Sequence, residues 1–139
     1  MLASPLRITA LLAASLFACS SDPPAEQCVP VAIEPACTPA YDPTYEQVWT
    51  KTLQPSCAKG GSICHASTGK QGGIDFSNID TAFKNLGDTG VVKAGDPACS
   101  KIVGRITATD GARRMPPGAS LPAGEQCAIE RWIANGAKR

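Results

Sequence analysis

Apart from the initiating residue, the chain contains one methionine, Met115, and it contains one histidine, His65. His65 directly follows Cys64, and Cys64 stands seven residues after Cys57. Met115 opens a Met115-Pro116-Pro117-Gly118 stretch fifty residues beyond the histidine. These residue types in this order suit a covalently held haem. Two thiols can bond the porphyrin vinyl groups, an adjacent imidazole can ligate iron, and a distant thioether can close the other face. Two other arrangements use the same residues. Cys57 and Cys64 can form a local disulfide, leaving His65 in solvent and Met115 as filler in a small core. Alternatively Cys57, Cys64, His65 and one further cysteine can hold zinc, although thiolate ligands compete with disulfide formation in an oxidising compartment. No catalytic dyad or triad can be assembled around one histidine, and no nucleophile motif stands out, so the expectation is that the protein is not an enzyme.

Helices are the elements available to position these groups. Asp42 offers a capping side chain with Pro43 at the first helical position, and Tyr45, Val48, Trp49 and Leu53 recur at helical spacing until Pro55. This predicts a first helix over about 43–54, stopped by Pro55, with Cys57 just beyond. Residues 58–73 are dense in Gly, Ser and Lys and read as a loop. A second helix is expected over about 78–86, closed by Gly87, and a third over about 98–106 presenting Ile102, Val103 and Ile106. A last helix begins near Pro122 and Glu125, carries Ala128, Ile129, Trp132 and Ile133, and ends at Asn135-Gly136. No strand pattern of useful length and no internal repeat is present, so the expected class is all-α. Trp49 and Trp132 are expected where the terminal helices meet.

The N-terminus reads differently. Arg7 precedes an apolar to weakly polar run, Ile8 to Ala18, and then Cys19-Ser20-Ser21-Asp22. This is the pattern of a signal peptide, and the run is about half the ~20 residues that a membrane-spanning helix needs. Leu16-Phe17-Ala18-Cys19 resembles the lipobox of bacterial lipoproteins, which implies cleavage before Cys19 and lipid on that cysteine. The chain is then exported and lipid-anchored to a bacterial membrane, on the periplasmic side or the cell surface. The alternative is ordinary secretion with cleavage slightly further on. The expected organisation is a signal peptide over 1–18, a lipid anchor and Pro-rich tether over 19–40, and one domain over 41–139. Of 13 Lys and Arg and 12 Asp and Glu, one Arg lies in the leader, so the mature chain is formally neutral. That balance gives no basic footprint for nucleic acid.

Seven cysteines are present. With Cys19 lipidated, six remain, and fifteen connectivities are open to them. Cys28 and Cys37 can close a small loop within the tether, and Cys99 and Cys127 are expected to bridge and pin the last helix, contributing roughly 3 kcal/mol.

Several segments carry a family resemblance: Val48-Trp49 through Leu53-Gln54-Pro55-Ser56-Cys57, Cys64-His65, Gly72-Gly73-Ile74-Asp75-Phe76, Gly95-Asp96-Pro97, Arg114-Met115-Pro116-Pro117-Gly118 and Trp132-Ile133-Ala134-Asn135-Gly136. With them the chain, over about 41–139, resembles the small class I cytochrome c domain found behind bacterial lipoprotein signals. The resemblance implies crossed N- and C-terminal helices above a haem c pocket, with Cys57 and Cys64 attaching the cofactor. It also implies His65 as proximal and Met115 as distal iron ligand. The implied function is a monohaem, membrane-tethered electron carrier whose partners are redox proteins at the same membrane surface, with no small-molecule substrate. The chain departs from the family in its lengthened Cys-x6-Cys-His motif, where Cys-x-x-Cys-His is usual. The rival reading is a disulfide-stapled, non-haem lipoprotein on the same scaffold, with a structural or binding role. Phe76 and Phe83 are candidates for a porphyrin face, and Arg113-Arg114 for haem propionates or an acidic partner.

Overall fold

The computed structural model describes residues 28–139; the leader, Cys19 and the first residues of the expected tether lie outside them. Among the described residues the regular elements are all helical. Helix α1 (Tyr45–Val48) continues without interruption as a π-helix over Trp49–Cys57. Then come α2 (Ile79–Asp88), α3 (Lys101–Ile106) and α4 (Ala123–Ala134), with two short 3-10 turns at Gly61–Ile63 and Gln71–Gly73 in the long loop after the π-helix.

Local chemistry accounts for these boundaries and corrects several expected ones. Thr44, not Asp42, caps α1: its side chain accepts the Gln47 N–H, while Asp42 lies outside the helix. Pro55 does not stop the first helix. It sits inside the π-helical stretch, where the wider turn relieves the clash that a proline ring makes with the carbonyl four residues earlier in an α-helix, so the element runs on to Cys57. Asn78 caps α2 by accepting from Asp80 and Thr81 N–H. Helix α3 starts at Lys101 rather than near Ala98, because residues 96–99 form a turn in which Asp96 accepts the Cys99 N–H. The last helix ends as expected on Gly136, which takes φ 94°.

Gly87 was expected to close α2, yet it lies within the helix, and a methyl group there would meet no atom within 4 Å. Gly87→Ala is therefore expected to raise stability by about 0.5–1 kcal/mol through the reduced entropy of the unfolded chain, read as a higher denaturation midpoint.

The core joins the ends of the chain. Helix α1 packs on α4, and α3 packs on α4 as well. Tyr45 is the hub: its ring lies 4.8 Å from Phe83 of α2 and 5.4 Å from Trp132 of α4, and its hydroxyl donates to the Ile79 carbonyl. Val48, Leu53, Leu86, Val103, Ile129 and Ile133 fill the remaining interior. Trp132 is buried there, but Trp49 is only partly buried, and its indole N–H donates to the Phe76 carbonyl at 3.1 Å.

The stretch from Cys28 to Ala40 was read as tether, and its composition is that of one. In the structure it lies against the domain. Val31 N–H donates to Ala98 O, Ala40 N–H to Gly124 O, and Arg131 to the Pro35 carbonyl. Val31 and Ile33 pack on the core. Gly124 permits the close approach, since a Cβ there would stand 3.0 Å from the Ala40 Cβ. Two disulfides hold the strap, Cys28–Cys99 and Cys37–Cys127. The expected Cys28–Cys37 and Cys99–Cys127 pairings are not formed. Both were chosen on local grounds, whereas the strap brings Cys28 to the start of α3 and Cys37 to α4, with Cα–Cα separations of 5.3 and 5.8 Å.

Candidate haem pocket

The π-helix delivers Cys57 to the wall of a cavity of about 560 Å³. Cys64, His65 and Met115 line the same cavity, so the structure brings together all four residues that the sequence singled out. The rest of the lining is largely apolar, with Leu53, Ile74, Phe76, Ile102, Ile106 and Leu121 prominent. The volume falls within the range of cofactor and ligand pockets, roughly 300–1,000 Å³, and the lining combines an apolar wall with few polar groups in the usual way.

How the six residues between the cysteines are accommodated is visible in the backbone. His65 N–H donates to the Cys57 carbonyl at 3.2 Å, closing the base of the insertion, and residues 58–63 bulge outward through the Gly61–Ile63 turn. Gly60 and Gly61 take φ 87° and 55°, the left-handed region where glycine is not penalised. At Gly60 a side chain would also collide with the Cys64 sulfur, 2.9 Å from an added Cβ. Gly69 sits under the other side of the bulge: an added Cβ would lie 2.4 Å from Cys64 O, 2.7 Å from Ser62 O and 2.8 Å from Gly61 O. Those contacts are backbone and cannot swing aside. Gly69→Ala is expected to cost about 3 kcal/mol or more in chemical denaturation and to displace Cys64 and His65 together.

The His65 ring is oriented by a backbone carbonyl. Its Nδ1 lies 2.8 Å from the Gln71 carbonyl. A carbonyl only accepts, so Nδ1 donates here, and in the neutral ring the lone pair is on Nε2, as in imidazoles that ligate metals. The Phe76 ring meets the imidazole edge-on with centroids 5.4 Å apart, and Phe76 N–H donates to the His65 carbonyl. Met115 is fixed from the other part of the chain, its N–H donating to the Arg105 carbonyl at the end of α3.

Cys57 and Cys64 are both free thiols, whereas the other four described cysteines are bridged. The local Cys57–Cys64 disulfide of the rival reading is therefore absent. Burial first, and then neighbouring Cys64 and Glu125, pushes the Cys57 thiol up to about 12, which keeps it protonated and neutral. For zinc, Cys57, Cys64 and His65 would need a further cysteine, and every other cysteine among the described residues is committed to a disulfide. Among the described residues no group of three or more His, Cys, Asp or Glu side chains could hold a metal ion. A porphyrin iron asks for something else, one imidazole and one thioether with two thiols for attachment, and these residues fit that group.

Not every suggested residue reaches the pocket. Phe83 meets Tyr45 edge-on at the margin of the core, away from the cavity lining, because its place on α2 turns it toward the terminal helices. Arg113 pairs with Asp110, and Arg114 Nε is buried without a hydrogen-bond partner; neither lines the cavity. The charged residues that do are Lys101 and Arg105. Sequence reasoning passed over them, although their i,i+4 spacing beside Ile102 and Ile106 places all four on adjoining faces of α3. Leu53, read from the sequence as part of the apolar spacing of the first helix, is a further residue of the pocket wall.

Residues 62–118 match the family model described as Planctomycete cytochrome C. The matched segment covers fewer than half of the chain's residues. It runs from just before Cys64-His65 to the Gly118 that follows Met115-Pro116-Pro117, and it begins after Cys57. It supports a cytochrome c-like domain. No curated protein and no solved structure matches the chain.

Proposed function

We propose that this cytochrome c-like domain is a monohaem c-type cytochrome that carries single electrons. The observation that supports it most directly is the convergence of Cys57, Cys64, His65 and Met115 on one apolar cavity, with both thiols free in a chain whose other described cysteines are bridged. When bound, haem supplies reversible one-electron chemistry at its iron.

The chain's own residues have separable tasks in this reading. Cys57 and Cys64, both free thiols on the cavity wall, would hold the haem covalently through their sulfurs. His65 presents Nε2, with Nδ1–H tied to Gln71 O so that the ring cannot rotate away. Met115 presents its sulfur, a soft neutral donor that favours the reduced metal and raises the potential relative to a second imidazole. His65 and Met115 would both be committed to holding the iron, so this reading has no small-molecule substrate and the protein would transfer electrons without acting as an enzyme. Leu53, Ile74, Phe76 and Ile102 exclude water, and Lys101 and Arg105 are the cationic side chains of the lining.

In the same reading the chain is exported, cleaved before Cys19 and lipid-anchored there, and its partners are redox proteins at that membrane surface. Among the described residues no helix is long and apolar enough to cross a membrane. Neutral net charge argues against nucleic acid as a partner.

The test is covalent haem. Expressed with a haem-ligation system, the protein should show a Soret band and a haem-dependent peroxidase stain after denaturing electrophoresis, and its intact mass should retain one haem after reduction. Colourless protein whose Cys57 and Cys64 are linked to each other would return the chain to the stapled, non-haem reading.

A further inference from the structure

The strap has two sides, and only the inner one has a task so far. Cys28 to Ile33 runs Cys-Val-Pro-Val-Ala-Ile, six residues without a charged or hydroxyl side chain. Val31 and Ile33 turn inward and pack on the core. Their neighbours turn outward: Val29 is 85% exposed, and Pro30 and Ala32 are exposed as well. A lone exposed valine is ordinary on a protein surface. What distinguishes this one is the apolar strip it belongs to and the cavity it lines, a second one of about 490 Å³ walled in part by the Cys28–Cys99 bridge, Val31 and Ala98.

The place of this strip in the chain names its occupant. On the proposed lipoprotein reading the anchor at Cys19 lies nine residues before Cys28, and a taut chain spans at most about 3.6 Å per residue. A domain of this length has a radius of gyration of about 13 Å, so holding Cys28 on the side away from the bilayer would take more than about 40 Å of chain. The tether is too short for that. On this reading the side that carries Cys28 is kept toward the lipid, and the apolar strip is the surface it offers first. Charge does not set the contact. Lys93 and Lys101 line the cavity, but Asp96 stands beside Lys93, its N–H donating to the Lys93 carbonyl and its carboxylate accepting the Cys99 N–H, and Asp22 and Glu26 lie within the tether.

We infer that the outward side of the strap, Val29, Pro30 and Ala32 with the cavity beside them, is a membrane-resting face whose occupant is the headgroup–acyl boundary of the bilayer that holds the anchor. This rests on the lipoprotein reading and deepens it, because the anchor then fixes an orientation as well as a location. A small apolar contact suffices, since the tether makes the encounter intramolecular. Thr89 and Lys101 line both this cavity and the candidate haem pocket, so resting on the strap turns the α3 side of the pocket toward the headgroups.

The test uses the full lipidated protein in nanodiscs of phosphatidylethanolamine and phosphatidylglycerol that contain a lipid with a diazirine in its upper acyl chain. After irradiation, mass spectrometry locates the labelled peptides. Beyond the tether, labels should concentrate in residues 28–33 and 89–101, and salt between about 20 and about 300 mM should not move them, because the contact is apolar. Val29→Asp with Ala32→Asp should lower labelling there at least about threefold. Both positions are exposed, so folding should change little, and the Cys28–Cys99 bridge reports that it has not. Ile63→Asp, at the other strongly exposed large apolar residue, should leave the labels in place. Labels spread evenly over the domain would overturn the inference, as would a pattern unaltered in the double variant, which tethering without contact would give; in both cases the anchor stands. An intact mass without acyl groups on Cys19 would remove the anchor and the inference together. Concentration-dependent amide shifts at residues 28–33 in lipid-free Cys19→Ser protein would assign the strip to a second copy of the chain and overturn it as well.

Discussion

With Met115 changed to alanine, the haem-loaded protein is expected to lose its distal ligand, bind added imidazole or cyanide that the parent protein excludes, and fall in reduction potential by on the order of 0.2 V, a fraction of the ≈0.8 V over which axial ligands act. Met115 is half-buried in a loop, anchored through its backbone N–H to Arg105 O, and that anchor survives the substitution. Folding should therefore change little, and the spectrum a great deal. Redox titration followed in the visible region reads both effects. An unaltered spectrum and potential would remove Met115 from the coordination sphere, while loss of haem altogether would show that the thioether contributes to retention.

The second large effect concerns the strap. Cys28–Cys99 and Cys37–Cys127 close loops of 71 and 90 residues. In the chain-entropy account each contributes about 4 kcal/mol, against less than about 3 kcal/mol for a bridge between Cys28 and Cys37. Cys37→Ser with Cys127→Ser should thus lower stability by about 4 kcal/mol. Reduction of both bridges should leave the cofactor-free domain largely unfolded at 37 °C, because small domains possess only about 5–15 kcal/mol in total. Denaturant titrations with and without reductant measure this. Non-reducing peptide mapping decides the connectivity: a peptide joining Cys28 to Cys37 would refute the arrangement.

Helix periodicity carried the element reading well where apolar stripes were long. The last helix, with Ile129, Trp132 and Ile133 on one face, was legible to within a residue or two, and so was α2. The failures have physical causes. Proline's ring clash with the carbonyl four residues back belongs to α geometry, so the π-helical continuation through Pro55 could not be read from composition. A Pro-rich stretch reads as tether unless something long-range holds it, and the strap's partners, Ala98, Cys99, Gly124 and Cys127, lie far along the chain. Disulfide pairing is unreadable for the same reason. The candidate site was more legible than the fold around it, because single occurrences of His and Met beside a cysteine pair leave few alternatives. What the sequence hid there was the part made by backbone: the His65 to Cys57 hydrogen bond that closes the bulge, and the cationic side chains that α3 turns toward the pocket.

The strap also sets how far the domain can roam. If lipid sits on Cys19, only nine residue steps lead to Cys28, which is already fastened to the body of the protein. Even a fully stretched chain of that length covers only about 30 Å. Instead of patrolling a wide hemisphere, a pocket so anchored would move like a boat on a short mooring. On the proposed electron-carrier reading, exchange would be confined to neighbours whose own cofactors stand within about one domain's height of the bilayer, and lengthening the mooring by inserted Gly-Ser residues should open it to taller ones.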